Sequence, residues 1–135
     1  MICQVSERED LGAQFARVTR RLIALEQPLL DGHDLTMWEY VVLLRLRAAP
    51  AQTQLELAQA IRYDKTRLIG LLDGLQRRGL ITREPAPNDR RARIVRLSRQ
   101  GRFLVDAVQR DIHQMEDQLL TPAERQALQG LLDRL

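Results

Sequence analysis

The chain has one cysteine, Cys3, so no internal disulfide framework holds it together. It has two histidines, His33 and His113, too few and too far apart in sequence to declare a metal site, and no metal or cofactor is expected. No apolar run approaches the length of a membrane span and no signal-peptide core is present, so a cytoplasmic protein without a membrane role is expected. A nucleophile and base at recognisable spacing, a phosphate-binding glycine loop and a metal cluster are all missing. That excludes the commonest enzyme classes. Lysine is nearly absent too: of 21 basic residues only Lys65 is lysine.

What is present is 135 residues at 44% hydrophobic composition, enough for one domain with a real core. The net charge of +3 is unevenly spread. Residues 62–102 hold twelve basic and four acidic side chains, a local net of +8, and the rest of the chain carries −5. A positive footprint of that kind suits phosphate neutralisation.

The same stretch carries the clearest structural punctuation. Thr53 and Glu56 read as a capping box opening a short helix with Leu57, Ala58 and Ile61 inward. Asp64 caps a second helix, in which Leu68, Leu71, Leu72 and Leu75 form one stripe and Gly79 supplies the stop. Turning that stripe inward leaves Lys65, Thr66, Arg67, Gln76 and Arg77 facing water. The period then changes to two in Leu80–Arg83 and again in Ile94–Leu97, the pattern of a two-stranded ribbon. Pro85, Pro87 and Asn88, then Asp89-Arg90-Arg91-Ala92-Arg93, read as its basic loop. Helix, turn, helix and basic hairpin is the winged helix-turn-helix order, with the helix start suited to a major groove and the hairpin to the backbone or minor groove.

Flanking helices are predicted on both sides. The first opens at Ser6 with Glu9 three residues on, and Leu11, Phe15, Val18, Leu22, Leu25 and Leu29 form a narrow seam on a seven-residue repeat. Pro28 and Gly32 end or bend it. Thr36 and Glu39 start a mostly apolar central helix that Pro50 stops, with Trp38 and Tyr40 expected in the core, their polar tips satisfied. Ser98 caps a long helix with Leu104, Val108, Ile112, Met115 and Leu119 inward. Thr121-Pro122-Ala123-Glu124 starts the last, which carries Leu128, Leu131, Leu132 and Leu135 and calls for a covering partner.

A leucine-patterned helix, a glycine after Arg77-Arg78, a strand, the loop Asn88-Asp89-Arg90-Arg91-Ala92-Arg93, and Ser98 with Gly101 three residues on together resemble the MarR family of transcription regulators. Leu35–Leu46 looks like that family's second helix, and the resemblance spans nearly the whole chain. It implies a single, mainly α domain of about six helices with a small antiparallel wing. Residues 36–98 would form the DNA-binding lobe, and residues 6–34 and 99–135 the dimerisation helices. It further implies a homodimeric regulator, a repressor, on a pseudo-palindromic operator in double-stranded DNA. Thr53, Gln54, Lys65, Thr66, Arg67, Arg77, Asp89, Arg90, Arg91 and Arg93 would serve DNA binding, with Asp89 holding the Arg91 guanidinium. Leu11, Phe15, Val18, Leu128, Leu131, Leu132 and Leu135 would serve the dimer. A small aromatic effector would sit near Phe15, Trp38 and Tyr40. The rival reading of the same residues is a winged-helix protein-interaction module without sequence-specific DNA binding.

Two features depart from the family pattern. Gly70 and Gly74 lie inside the recognition helix, where each costs about 0.5 to 1 kcal/mol relative to alanine. Cys3 does not match the redox-sensing branch, whose reactive cysteine falls where this chain has Gly12.

Overall fold

Side-chain oxygens set where most of the helices begin. In the computed structural model, which describes residues 8–135, Thr36, Thr53, Asp64, Ser98 and Thr121 each accept a hydrogen bond from the backbone N–H three residues on. The elements are α1 (Leu11–Gly32), α2 (Met37–Ala48), β1 (Gln52–Thr53), α3 (Gln54–Ile61), α4 (Lys65–Arg77), β2 (Ile81–Ala86), β3 (Asp89–Leu97), α5 (Arg99–Asp117) and α6 (Pro122–Leu132). Six helices and a small antiparallel sheet are the expected architecture. No helix among the described residues is long and apolar enough to cross a membrane.

Several boundaries differ from the sequence expectation. The first helix begins at Leu11 behind Asp10, not at Ser6; Glu9 is drawn instead to the Arg17 guanidinium at 3.1 Å. Ser6 and Cys3 lie outside the described residues. Pro28 does not end α1, which runs through it to Gly32, and the chain turns at Asp34 with φ of 54°. At Thr53 only the forward half of the capping box forms, since this residue also closes β1 and pairs with Ile94.

The ribbon is a three-stranded sheet in the order β1-β3-β2. Its long hairpin takes in Pro85 and Asp89–Arg93, which read as loop in the sequence, and only Pro87 and Asn88 form the turn. β2 is an edge strand, the position where proline is tolerated.

The core gathers Leu30, Tyr40, Val42, Leu43, Leu46, Leu57, Leu68, Leu72, Leu75, Ile81, Val95, Val105, Val108 and Ile112, from α1 to α5 and the sheet. Tyr40 is 6% exposed, and burial pushes its hydroxyl pKa up to about 12. Trp38 departs from expectation at 42% exposure. Two residues from Tyr40 is roughly 200° around the helix axis, the far side from the core. Its ring lies 4.5 Å from that of Tyr63, centroid to centroid. Leu119 also differs, falling beyond the end of α5 and 39% exposed.

Hydrogen bonds, some between opposite charges, fasten the helices to one another. Arg47 on α2 donates to Asp106 at 2.6 Å and to Gln109 on α5, His33 bonds Asp111 at 2.8 Å, and Arg125 on α6 reaches Glu116 on α5. Glu26 is the less comfortable acid. Its half-burial, with Glu116 nearby, holds its pKa above the usual carboxylate range. A raised folded-state pKa means stability that is present when the group is protonated and lost as pH rises through that range. Glu26→Gln should therefore melt higher than the wild type at neutral pH, with the gap closing in acid; a gap that widens in acid would contradict this burial argument.

Candidate nucleic-acid interface

α3 ends in a left-handed residue, Arg62, with φ of 53°, and the chain re-enters α4 three residues later. Asp64 Oδ2 accepts from the Arg67 N–H at 2.8 Å, fixing the start of α4. Burying Leu68, Leu72 and Leu75 on one stripe leaves Lys65, Thr66, Arg67, Gln76 and Arg77 exposed, as the period required. The helix stops at a Schellman turn: Gly79, at φ of 72°, donates to Gln76 O and Leu80 donates to Leu75 O. The space beside Gly70 is open and nothing in the structure explains that glycine; the Arg77 guanidinium lies over Gly74, 3.8 Å from where a Cβ would stand.

The wing presents its arginines at the tip. Pro85 pairs with Arg93 but Ala86 pairs with Asp89, so Arg90, Arg91 and Ala92 intervene on β3 with no partner on β2. Arg90, Arg91 and Arg93 are exposed. Asp89 does not grip the Arg91 guanidinium as expected. Its Oδ1 accepts from the Arg91 backbone N–H at 2.9 Å, because that donor is fixed close by whereas the guanidinium is free in solvent. Asp89 therefore shapes the tip.

Thr53 and Gln54 sit at the start of α3, with the Thr53 hydroxyl engaged as a cap and Gln54 Oε1 taken by Arg83. Arg83 is the residue that sequence reasoning missed. It links Gln54 on α3 to Asp73 and Gln76 on α4 from its place on β2. A signal was available: Arg83 stands two residues from buried Ile81, on the same strand face, and a guanidinium there requires acceptors. Arg78, at the end of α4, donates to Asp34 O at 2.7 Å and ties that helix to the α1–α2 turn.

Phe15, Trp38 and Tyr40 are not brought to one cavity. Phe15 is exposed on the outer part of α1, Trp38 is on the surface and Tyr40 is in the core. A cavity of about 210 Å³ between α1, α5 and α6 is lined by Leu22, Leu119, Leu120 and Leu128, with Arg125 and Glu116 at its side. A polar groove of about 420 Å³ runs between α4 and the wing, lined by Gln54, Asp73, Gln76, Arg83 and Arg93. Neither is lined by the three aromatics. Among the described residues no three His, Cys, Asp or Glu side chains cluster as metal ligands.

Along α1 and α6, Leu11, Phe15, Val18, Leu128, Leu131, Leu132 and Leu135 all remain exposed, and α6 buries none of its residues.

Comparison with known proteins places this geometry. Residues 33–92 match the MarR family model. Wild-type apo MarR from E. coli is 30% identical over 95% of this chain and 98% of its own, with a TM-score of 0.81. BpsR of Bordetella bronchiseptica, whose DNA binding is regulated by 6-hydroxynicotinic acid, is also 30% identical, covering 99% and 96%, with a TM-score of 0.74. The transcriptional repressor CouR, solved on a 23-mer DNA duplex, is 28% identical over 99% and 96%, with a TM-score of 0.81.

Proposed function

The chain belongs to the MarR family of transcription regulators, and from that premise we propose that it is a homodimeric repressor of a pseudo-palindromic operator. The observation that carries this reading is the exposed polar front of α4, backed by buried leucines and set beside an arginine-tipped wing, in the part of the chain with a net charge of +8. Lys65, Thr66, Arg67 and Arg77 would meet the major groove. Arg90, Arg91 and Arg93 would reach the backbone or the adjacent minor groove, while Asp89 holds the turn. Thr53 and Gln54 would donate to phosphates at the start of α3. A two-fold dimer offers its two α4 helices to successive major grooves, so half-sites about one helical turn apart are expected.

Release by a small aromatic effector is part of the same proposal, supported by the likeness to BpsR. The effector would act by shifting the population between dimers whose α4 spacing fits the operator and dimers whose spacing does not. Phe15, Trp38 and Tyr40, being apart, would each need a different site or a rearrangement to share one.

The test is a titration of DNA binding against salt. Each neutralised phosphate contributes to the slope of log affinity against log salt. Arg91→Ala should weaken binding and flatten that slope by about one unit. Unchanged affinity and slope would remove Arg91 from the interface, and weak, salt-insensitive binding by the unmodified chain would favour the protein-interaction reading instead.

A further inference from the structure

Arg83 is three-quarters enclosed or more, with 16% of its side chain exposed, and its guanidinium has five donors and no acceptor. The fold surrounds it with three acceptors from two helices. Nε donates to Gln76 Oε1 at 2.6 Å, Nη1 donates to Gln54 Oε1 at 3.2 Å, and Nη2 meets the Asp73 carboxylate. A glutamine amide accepts at one end and donates at the other. Because Arg83 can only donate, the ends turned toward it are the two oxygens, and both Nε2 groups point elsewhere. Gln54 opens α3, Gln76 lies near the end of α4, and both line the polar groove beside the wing.

We propose that Arg83 is a positioning residue for recognition: without touching DNA, it locks Gln54 and Gln76 with their NH₂ groups outward. This rests on the DNA-binding reading above and adds its chemistry. A surface so arranged offers donors to phosphate oxygens, guanine O6 and N7, or thymine O4. Each amide oxygen keeps one lone pair, so its orientation toward a base is set by Arg83 rather than left free to turn. Asp73 belongs to the same device. It is one of only four acidic residues between Arg62 and Arg102, and it anchors the guanidinium from the α4 side.

The experiment compares the unmodified chain with Arg83→Met and Asp73→Ala. Each is measured on a duplex that the unmodified chain selects from a random-sequence pool and on unselected duplex, over a range of salt. Both variants should lower the ratio of selected to unselected affinity by about tenfold, the scale of one well-placed base contact, with the salt slope unchanged. A phosphate-contacting Arg83 gives a different pattern: Arg83→Met flattens the slope, while Asp73→Ala, which removes negative charge from a basic surface, tightens both duplexes. A merely structural Arg83 gives a third, lowering the melting temperature while the folded variants discriminate as before. Either of those patterns overturns the proposal. If the unmodified chain selects no duplex, or binds without salt dependence, the DNA reading falls and this inference with it; if it selects normally and the variants do too, only the role of Arg83 is lost.

Discussion

Gly101→Ala should cost about 3 kcal/mol or more, the upper range for forcing atoms into a packed site, and lower the melting temperature by about 10 °C. A Cβ built there stands 2.1 Å from the Leu80 carbonyl oxygen and 2.8 Å from Leu97 Cδ1. A flexible side chain could step aside, but the Leu80 carbonyl cannot do so freely, because it accepts from the Ser98 N–H at 3.0 Å. Ser98 is held from both sides as well: its Oγ donates to Gly79 O at 2.6 Å and accepts from the Gly101 N–H at 3.0 Å. The close of α4 and the opening of α5 are thus one joint, and any shift at Gly101 is passed to the end of α4. Gly70→Ala is the matched control. Nothing lies within 4 Å of a Cβ at Gly70, so alanine there should be neutral or gain about 0.5 to 1 kcal/mol from helix propensity. Equal melting temperatures for the two variants would show that the α4–α5 joint is looser than this geometry.

The contrast between these glycines also shows what the sequence could and could not disclose. Gly101 was legible only as part of a motif with Ser98, not for its contact with Leu80 across the joint; Gly79 was legible as a helix stop, because it acts through neighbours a few residues away. The caps at Thr36, Asp64, Ser98 and Thr121 and the leucine stripe of α4 were legible for the same reason. β1 was not: two residues cannot display a period, and Gln52 and Thr53 become strand only because Val95 and Ile94 lie opposite. Pro85 and Asp89–Arg93 look like loop by local preference, and pairing along the hairpin overrides it. In the candidate site, the exposed face of α4 followed from period alone, and the basic tip of the wing from the arginines between two short strand patterns. Arg83 did not, because its three acceptors are scattered across two other elements. The choice Asp89 makes between a backbone N–H and a guanidinium two residues away is likewise a matter of geometry that composition does not reveal.

Leu128→Asp combined with Leu131→Asp should turn a dimer into monomers and weaken operator binding by about a hundredfold or more, the usual loss when two linked contacts become independent. α6 leaves its apolar side chains uncovered. Leu131 is 51% exposed and Leu128 42%, and no residue of the helix is buried within its own chain. Across the described part of α1, Leu11 is 57% exposed and Phe15 and Val18 are similarly open. Apolar stripes on two helices that the chain itself leaves uncovered are stabilised by burial against a partner, at roughly 25 cal/mol per Å² removed from water. A second copy presents the same stripes, and a two-fold arrangement covers both at once. Because α6 contributes nothing to the core, the double variant should keep its helical content and the packing around Leu43 and Leu72. Sedimentation and DNA titration on one preparation then separate the steps: monomers that still fold but bind only single half-sites, weakly, are the expected result. A variant that remains a dimer, or an unmodified chain that sediments as a monomer and still binds a full operator tightly, would take the two-fold geometry out of the mechanism.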